Sequence, residues 1–556
     1  MKKKNARFLT MALSLGLFTG CGDTAATPSA LSPSSDGESQ VEKDSYLPFL
    51  QTLGFTQTED GNIDWTVDLS LFDKGGINAK VAVHDPSLYI ENGTYYIFGS
   101  HMSSASSSDA RNFSYIGTNG YSSENSVYGD LFAENSHVFD YAGSKDSVIP
   151  TDDGTYHVWA PDVIYNDTMG CYMLYYCTSS TWNASNLCFA TSDSLEGPYT
   201  WQGALVYSGF TKDTISATDV LSYVSEDYAQ ENYYKANGEY NYDDCPNAID
   251  PTIFYDEDHK LWMVYGSWSG GIFLLEIDPE TGYPIRPDET TLASDENYDP
   301  YFGKRLLGGG HKSIEGPYIL YDAESKYYYL FVSYGSLNRD GGYQIRVFRS
   351  KTVDGEYEDM NGARPDKNSV HATFGLKLSG NYILPSMSYG YKATGHNSAA
   401  ITDDGIRLLA YHTRFDGVSE DHQPRIKQFL INKEGWPCLL PYEYNYETVS
   451  KTGYSKEEIV GKYYFINQGI MIDSTVSTPE YMVLCEDGTI LGDGIDGNYT
   501  YEEGSYYIEL TYKDTKKDSH TYSGVLCKQT DLAGKEVLTF SAVGMNKSLW
   551  GVKYLE

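Results

Sequence analysis

Splitting an acetal linkage takes two carboxyl groups on either side of the bond, one protonated to assist the leaving oxygen and one ionised to act on water or substrate. A third carboxylate close by raises the pKa of the acid, because like charges disfavour ionisation. Asp85, Asp250 and Glu315 fit those three tasks. Each opens an apolar-aromatic run that reads as a strand, and each stands beside or close to a proline, in Asp85-Pro86, Asp250-Pro251 and Glu315-Gly316-Pro317. Proline stiffens the chain and so holds a carboxylate in place. A single Asp-Pro is ordinary turn chemistry. Three acidic residues in equivalent places of a repeat make a candidate acid/base site for hydrolysis.

The repeat is what must position them. Its five starts are His84-Asp85-Pro86, Trp159-Ala160-Pro161-Asp162, Ala248-Ile249-Asp250-Pro251, Glu315-Gly316-Pro317-Tyr318 and Gly395-His396-Asn397. After each comes an apolar-aromatic run, a polar turn and a second run, as in Ser87-Leu88-Tyr89-Ile90, Glu91-Asn92-Gly93 and Thr94-Tyr95-Tyr96-Ile97-Phe98. Recurrence of one hairpin unit points to a radial β-architecture, in which the starts of equivalent strands face a central axis. Strand signals dominate the rest of this region: residues 80–83, 94–99, 158–164, 171–177, 252–255, 261–265, 271–277, 318–320, 327–334, 343–349, 406–412 and 426–431. Helical periodicity is confined to residues 195–198, 214–225 and 456–460, so the fold class is all-β. A Tyr/Asp/Asn-rich connection over residues 227–247 precedes the third unit. From about residue 450 a new series of strand runs predicts a separate small antiparallel barrel or sandwich.

The 556 residues are enough for two or more domains. A formal net charge of -37 repels phosphates and polyuronates and leaves neutral substrates unaffected, so no nucleic acid is expected as a partner. The 52 tyrosines suit half-wet sheet surfaces and also stack on sugar rings; filling sheet positions accounts for most of them. Lys2, Lys3, Lys4 and Arg7, the apolar run from Phe8 to Phe18, and Phe18-Thr19-Gly20-Cys21 read as an export signal. The signal resembles a bacterial lipobox, with Phe18 where Leu is usual and Cys21 as the lipidated residue. Residues 22–44 then form a flexible tether, and no later run is long and apolar enough to span a bilayer. The expectation is an exported monomer, lipid-anchored at a bacterial cell surface. Seven further cysteines leave at least one unpaired, and Cys171 and Cys177 lie too far apart along one strand to bridge.

The motifs carry a resemblance. Val83-His84-Asp85-Pro86, His157-Val158-Trp159-Ala160-Pro161-Asp162, Asn247-Ala248-Ile249-Asp250-Pro251, the Gly266-Ser267-Trp268-Ser269-Gly270 stretch, Glu315-Gly316-Pro317-Tyr318 and Gly395-His396-Asn397-Ser398 resemble the successive signatures of family 43 glycoside hydrolases. Within that family the chain is similar to the two-domain bacterial endo-1,5-α-L-arabinanases. The resemblance implies a five-bladed β-propeller over residues 45–447 and a C-terminal β domain over 448–556. It implies an inverting hydrolysis of internal α-1,5-linkages in the neutral plant polysaccharide arabinan, with Asp85 as general base, Glu315 as general acid and Asp250 tuning Glu315. Asn247, Ala248, Ile249, Asp250, Ser267, Trp268 and Ser269 would line the sugar subsites. Trp159 is either a stacking platform or a core aromatic between blades, and Asp162 either structural or substrate-orienting. The resemblance also implies a calcium ion in the central channel, bound by His396. His84, His157, His311 and His412 read as structural or rim residues. Two alternatives stay open: an exo-acting arabinofuranosidase or β-xylosidase on the same fold, and a glycan-binding surface lipoprotein without catalysis. The C-terminal domain is either a cap on the propeller or a separate carbohydrate binder.

Overall fold

The computed structural model describes residues 45–513 and 518–555. The export signal, the tether and Cys21 lie outside the described residues. The chain divides after Ile63 into two compact units. In the first, the described residues hold a short helix, Leu47–Thr52, and a bridge between Gln57 and Ile63. Residues 45–63 therefore belong to a unit apart from the propeller, whose first strand begins at Ser87.

The second unit opens with five antiparallel sheets. Blade I runs from Ser87–Glu91 to Ser114–Tyr115, blade II from Val158–Asn166 to Thr200–Tyr207, and blade III from Thr252–Tyr255 to Gly303–Leu307. Blade IV runs from Ile314–Asp322 to Leu376–Ser379 and blade V from Tyr391–Ile401 to Pro437–Leu439. Every blade is built from a contiguous stretch of chain. The Asn92-Gly93 turn closes the first hairpin with both residues at positive φ, the combination a two-residue turn needs to match strand twist. Tyr327–Tyr334 is buried along nearly its whole length, as a central strand covered on both faces must be. Tyrosines tie the blades: the Tyr175 hydroxyl of blade II donates to the Gly282 carbonyl of blade III at 3.0 Å, and within blade III the Tyr265 hydroxyl donates to the Phe302 carbonyl at 2.8 Å.

One conformational feature repeats five times. Asp85, Ala160, Asp250, Gly316 and His396 all have left-handed φ, between 41° and 57°, at the axial start of their blades. Four of them precede a proline. In blades II, IV and V the register with the neighbouring strand shifts at this point, a bulge that turns a side chain out of the ladder. Below these residues Asp162 ties three blades together, accepting from Ser87 Oγ of blade I and from the Ile253 amide of blade III. Burial pushes its carboxyl up to about 6. Residue Asp162 thus has a structural role in the channel.

Residues 80–83, expected as a strand, are irregular, because Lys80 takes a left-handed φ of 64°. The 227–247 connection contains the helix Glu226–Asn232. The C-terminal region, left open as barrel or sandwich, is a closed barrel of eight antiparallel strands from Gly461–Asn467 to Lys547–Tyr554. Its interior is packed with Tyr463, Leu484, Leu510, Leu538, Phe540 and other apolar side chains. The seven described cysteines are buried free thiols, and no helix among the described residues is long and apolar enough to cross a membrane.

Candidate active site

The five blade starts converge on one cavity of about 370 Å³, lined by Asp85, Trp159, Asp250, Glu315 and His396, one from each blade. Its size is that of a small-molecule site. Asn247, Ile249 and Ser267 also reach the wall. Other residues expected at the subsites do not: Ala248 and Ser269 are fully buried behind the wall, the Ala248 amide being engaged by Ser208 Oγ at 2.9 Å. Trp268 works from the side, its indole N–H donating to Glu315 Oε2 at 2.5 Å.

Asp85 is held from several directions. His84 Nδ1 lies 2.7 Å from Oδ2 and His396 Nδ1 3.0 Å from Oδ1. Ser100 Oγ donates to Oδ2, and the Asp85 amide donates to His412 Nδ1 at 3.3 Å. Burial alone would raise this carboxyl, but the neighbouring His396 and His84 outweigh it and hold it well below the usual carboxylate range. Asp85 is therefore ionised at neutral pH. Glu315 moves the other way: burial raises it, against the opposing effects of the Tyr343 hydroxyl, His396 and the Trp268 indole. Asp250 is raised as well, by burial and by the charges of Glu315 and Asp85, with His396 opposing. It is tethered beside the acid by the Gly316 amide, which donates to Oδ2 at 3.2 Å. For His396, burial would lower the pKa, but Asp85 and Asp250 carry it up to about 9. An ionised carboxylate, a second whose pKa is raised toward its protonated form and a cation beside them are the parts of an acid/base hydrolytic site.

Several residues at this site were not legible beforehand. His84 and His412, expected to be structural or rim residues, both lie against Asp85; His84 directly precedes Asp85, and that adjacency was the available signal. Ser100 directly follows the second strand of blade I, Thr94–Gly99, and carries no pattern of its own. Trp182 is 56% exposed and lines the cavity with Leu337. Its ring meets those of Tyr242, from the long connection, and His311, at 4.9 and 5.1 Å. The signal in the sequence is a lone tryptophan in the polar run Ser179-Ser180-Thr181-Trp182-Asn183, outside any strand pattern.

Beneath the cavity, the channel between the blade starts encloses about 10 Å³, room for about one water or ion. His396 and the carboxylates of Asp85, Asp162 and Asp250 reach its wall. Both side-chain atoms of Asn397, Nδ2 and Oδ1, are buried there without a partner. Oxygen donors, excess negative charge and an orphaned amide fit a single hard cation such as calcium.

A model of glycosyl hydrolases family 43 matches residues 79–437, and one of a C-terminal lipocalin-like domain matches residues 441–551. An extracellular endo-α-(1→5)-L-arabinanase of Thermotoga petrophila is 36% identical over 488 residues, covering 85% of this chain and 94% of that one. The extracellular endo-α-(1→5)-L-arabinanase 2 of Bacillus subtilis is 34% identical over 505 residues, covering 88% and 96%. A crystal structure of the Thermotoga petrophila endo-1,5-α-L-arabinanase superposes with a TM-score of 0.73 at 35% identity, over 87% of this chain and all of that chain.

Proposed function

The chain belongs to glycosyl hydrolase family 43, and from that premise we propose that it is an endo-1,5-α-L-arabinanase acting on internal linkages of arabinan with inversion. The observation that carries this reading is the meeting of Asp85, Asp250, Glu315 and His396 on one sugar-sized cavity with the pKa values of the two outer carboxyls pushed apart. In the proposed step Asp85 takes a proton from water as the water oxygen bonds to the anomeric carbon. Glu315 gives its proton to the departing glycosidic oxygen on the other side. Asp85 ends protonated and Glu315 ionised, and solvent resets both. Asp250 is the tuning residue: its carboxyl and that of Glu315 repel as like charges, which favours a proton shared on the pair, and the Gly316 amide fixes Asp250 beside the acid. Trp159, Asn247, Ile249 and Ser267 bind the sugars at the wall.

Calcium belongs to the same proposal: His396 would hold it as the neutral imidazole, with Asn397 and channel oxygens near it, and the ion would then supply beside Asp85 and Asp250 the positive charge that the protonated ring carries without it. We further propose that the enzyme is exported and anchored as a monomer through Cys21. Time-resolved product analysis on debranched arabinan tests the activity, with Glu315→Gln expected to lose about 10²–10⁴-fold. Mixed oligomers should appear early. Full activity in folded Glu315→Gln, or monomer as the sole product from the outset, would sink it.

A further inference from the structure

A second cavity lies against the first. It encloses about 560 Å³ and is lined by Tyr121, Phe132, Phe139, Tyr156, Glu134 and Asp140 among others, all from the connection between blades I and II. The four rings form a closed circuit. Tyr121 meets Tyr156 at 5.7 Å, Tyr156 meets Phe139 at 4.7 Å, Phe139 meets Phe132 at 6.1 Å and Phe132 meets Tyr121 at 5.4 Å. None of the four is fully buried, and Tyr156 is 45% exposed.

The wall between the two cavities is thin. Tyr156 lines the second and its neighbour His157 the first. Ser144 lines the second, and the adjacent Gly143 amide donates at 2.7 Å to Ser180 Oγ of the first. Tyr121 reaches the same wall, its hydroxyl accepting from the Val158 amide at 3.3 Å and lying 3.0 Å from His101 Nδ1. The His101 ring in turn meets Trp159 at 4.4 Å. An aromatic path thus leads from the wall of the catalytic cavity into the second one.

We propose that this second cavity is a distal subsite for further furanose units of the polysaccharide chain lying across the catalytic cavity. The inference rests on the arabinanase reading and extends it. Aromatic faces suit the apolar faces of sugar rings, while Glu134 and Asp140 at the edge accept from sugar hydroxyls. No lysine or arginine lines the cavity, so it is built for a neutral polyol and against an anionic one. Only a substrate long enough to span both cavities gains from it.

The test measures kcat and KM on linear α-1,5-arabino-oligosaccharides of increasing length and on debranched arabinan, for the wild type, Tyr156→Ala and Tyr156→Phe. For Tyr156→Ala the expected result is about a fivefold rise in KM on long chains, with the shortest cleaved oligomer within about twofold of wild type, since one lost ring contact is worth about 1 kcal/mol. Tyr156→Phe, which keeps the ring, stays near wild type on every length. Equal losses on short and long substrates would make Tyr156 a structural residue and overturn the proposal, as would no loss on long ones. Calorimetric titration of oligosaccharides into Glu315→Gln, with and without Tyr156→Ala, gives the same comparison without turnover. If the wild type fails to cut arabinan at all, the arabinanase reading falls; if it cuts and only the length dependence is absent, the subsite alone falls.

Discussion

Asp85 and Glu315 face the same cavity and are both carboxyl groups, yet their surroundings shift their pKa values in opposite directions. The cause is local. Asp85 sits between two imidazoles and a hydroxyl, whereas the groups in direct contact with Glu315 are neutral donors, Ser267 Oγ at 3.3 Å, the Trp268 indole at 2.5 Å and the Tyr343 hydroxyl, with the His396 cation acting on it only through its charge. Those donors favour the ionised acid and so work against burial. Removing one of them gives a signed prediction. In Trp268→Phe the acid keeps its proton to higher pH, so the alkaline limb of the kcat/KM profile moves upward while activity at the optimum stays within about tenfold of wild type. An unmoved alkaline limb would show that some group other than Glu315 sets it. The three carboxylates could be found from the sequence because each stands at a module start that the repeat itself marks. Ser100 and Trp182 could not be found this way, since their places depend on how a strand end or a loop folds back on the axis, whereas His84 stands at a module start beside Asp85.

At the scale of the element, the device is a strand start forced into left-handed backbone five times over. In blades I, III and V the left-handed residue itself carries the functional group, as Asp85, Asp250 and His396. In blades II and IV it is the small Ala160 or Gly316, and the residue before it, Trp159 or Glu315, faces the cavity. That one-residue offset explains why the motifs looked alike without aligning perfectly. Gly316 also makes room for its neighbour: a Cβ there would lie 3.1 Å from His396 Cγ. Gly316→Ala should therefore cost about 1–2 kcal/mol for the left-handed conformation and lower kcat by more than about tenfold by displacing the His396 ring and Glu315. Thermal unfolding and kinetics on the same preparation check both parts; a stable variant of full activity would mean that the ring has slack. Strands rich in aromatics were legible, whereas Ser103–Ser107 was not. Serine carries little strand preference, and only the sheet beside it decides its conformation.

At the scale of the whole molecule, the C-terminal barrel is packed on the propeller. One apolar cluster joins them, running without a break from Tyr382, Trp436 and Leu439 of the propeller region to Ile466, Val537 and Trp550 of the barrel. Polar contacts surround it. Asn546 Nδ2 donates to Asp359 Oδ2 at 2.6 Å, Ser548 Oγ to the Lys377 carbonyl at 2.6 Å, and Asn381 Nδ2 to the Asp473 carbonyl at 3.1 Å. Residues from 64 onward add a strap, with Phe72 packed on Tyr464 and Tyr554 of the barrel and the Gly75 amide bonded to the Ser386 carbonyl at 2.8 Å. A Cβ on Gly75 would stand 1.7 Å from the Leu532 carbonyl oxygen, so the strap lies directly on the barrel surface. Cores that share side chains unfold together. Calorimetry of the whole chain should accordingly show one transition for the propeller and barrel. Trp550 is the largest fully buried side chain among the described residues, edge-on to Tyr382 at 4.9 Å and with the Lys427 amine over its ring at 4.5 Å. Trp550→Ala should cost about 3–5 kcal/mol and move that single transition down as a unit, with arabinan hydrolysis lost at the same lowered temperature. Two separated transitions, with only the smaller one moved and activity surviving to the wild-type temperature, would instead make the barrel an independent module.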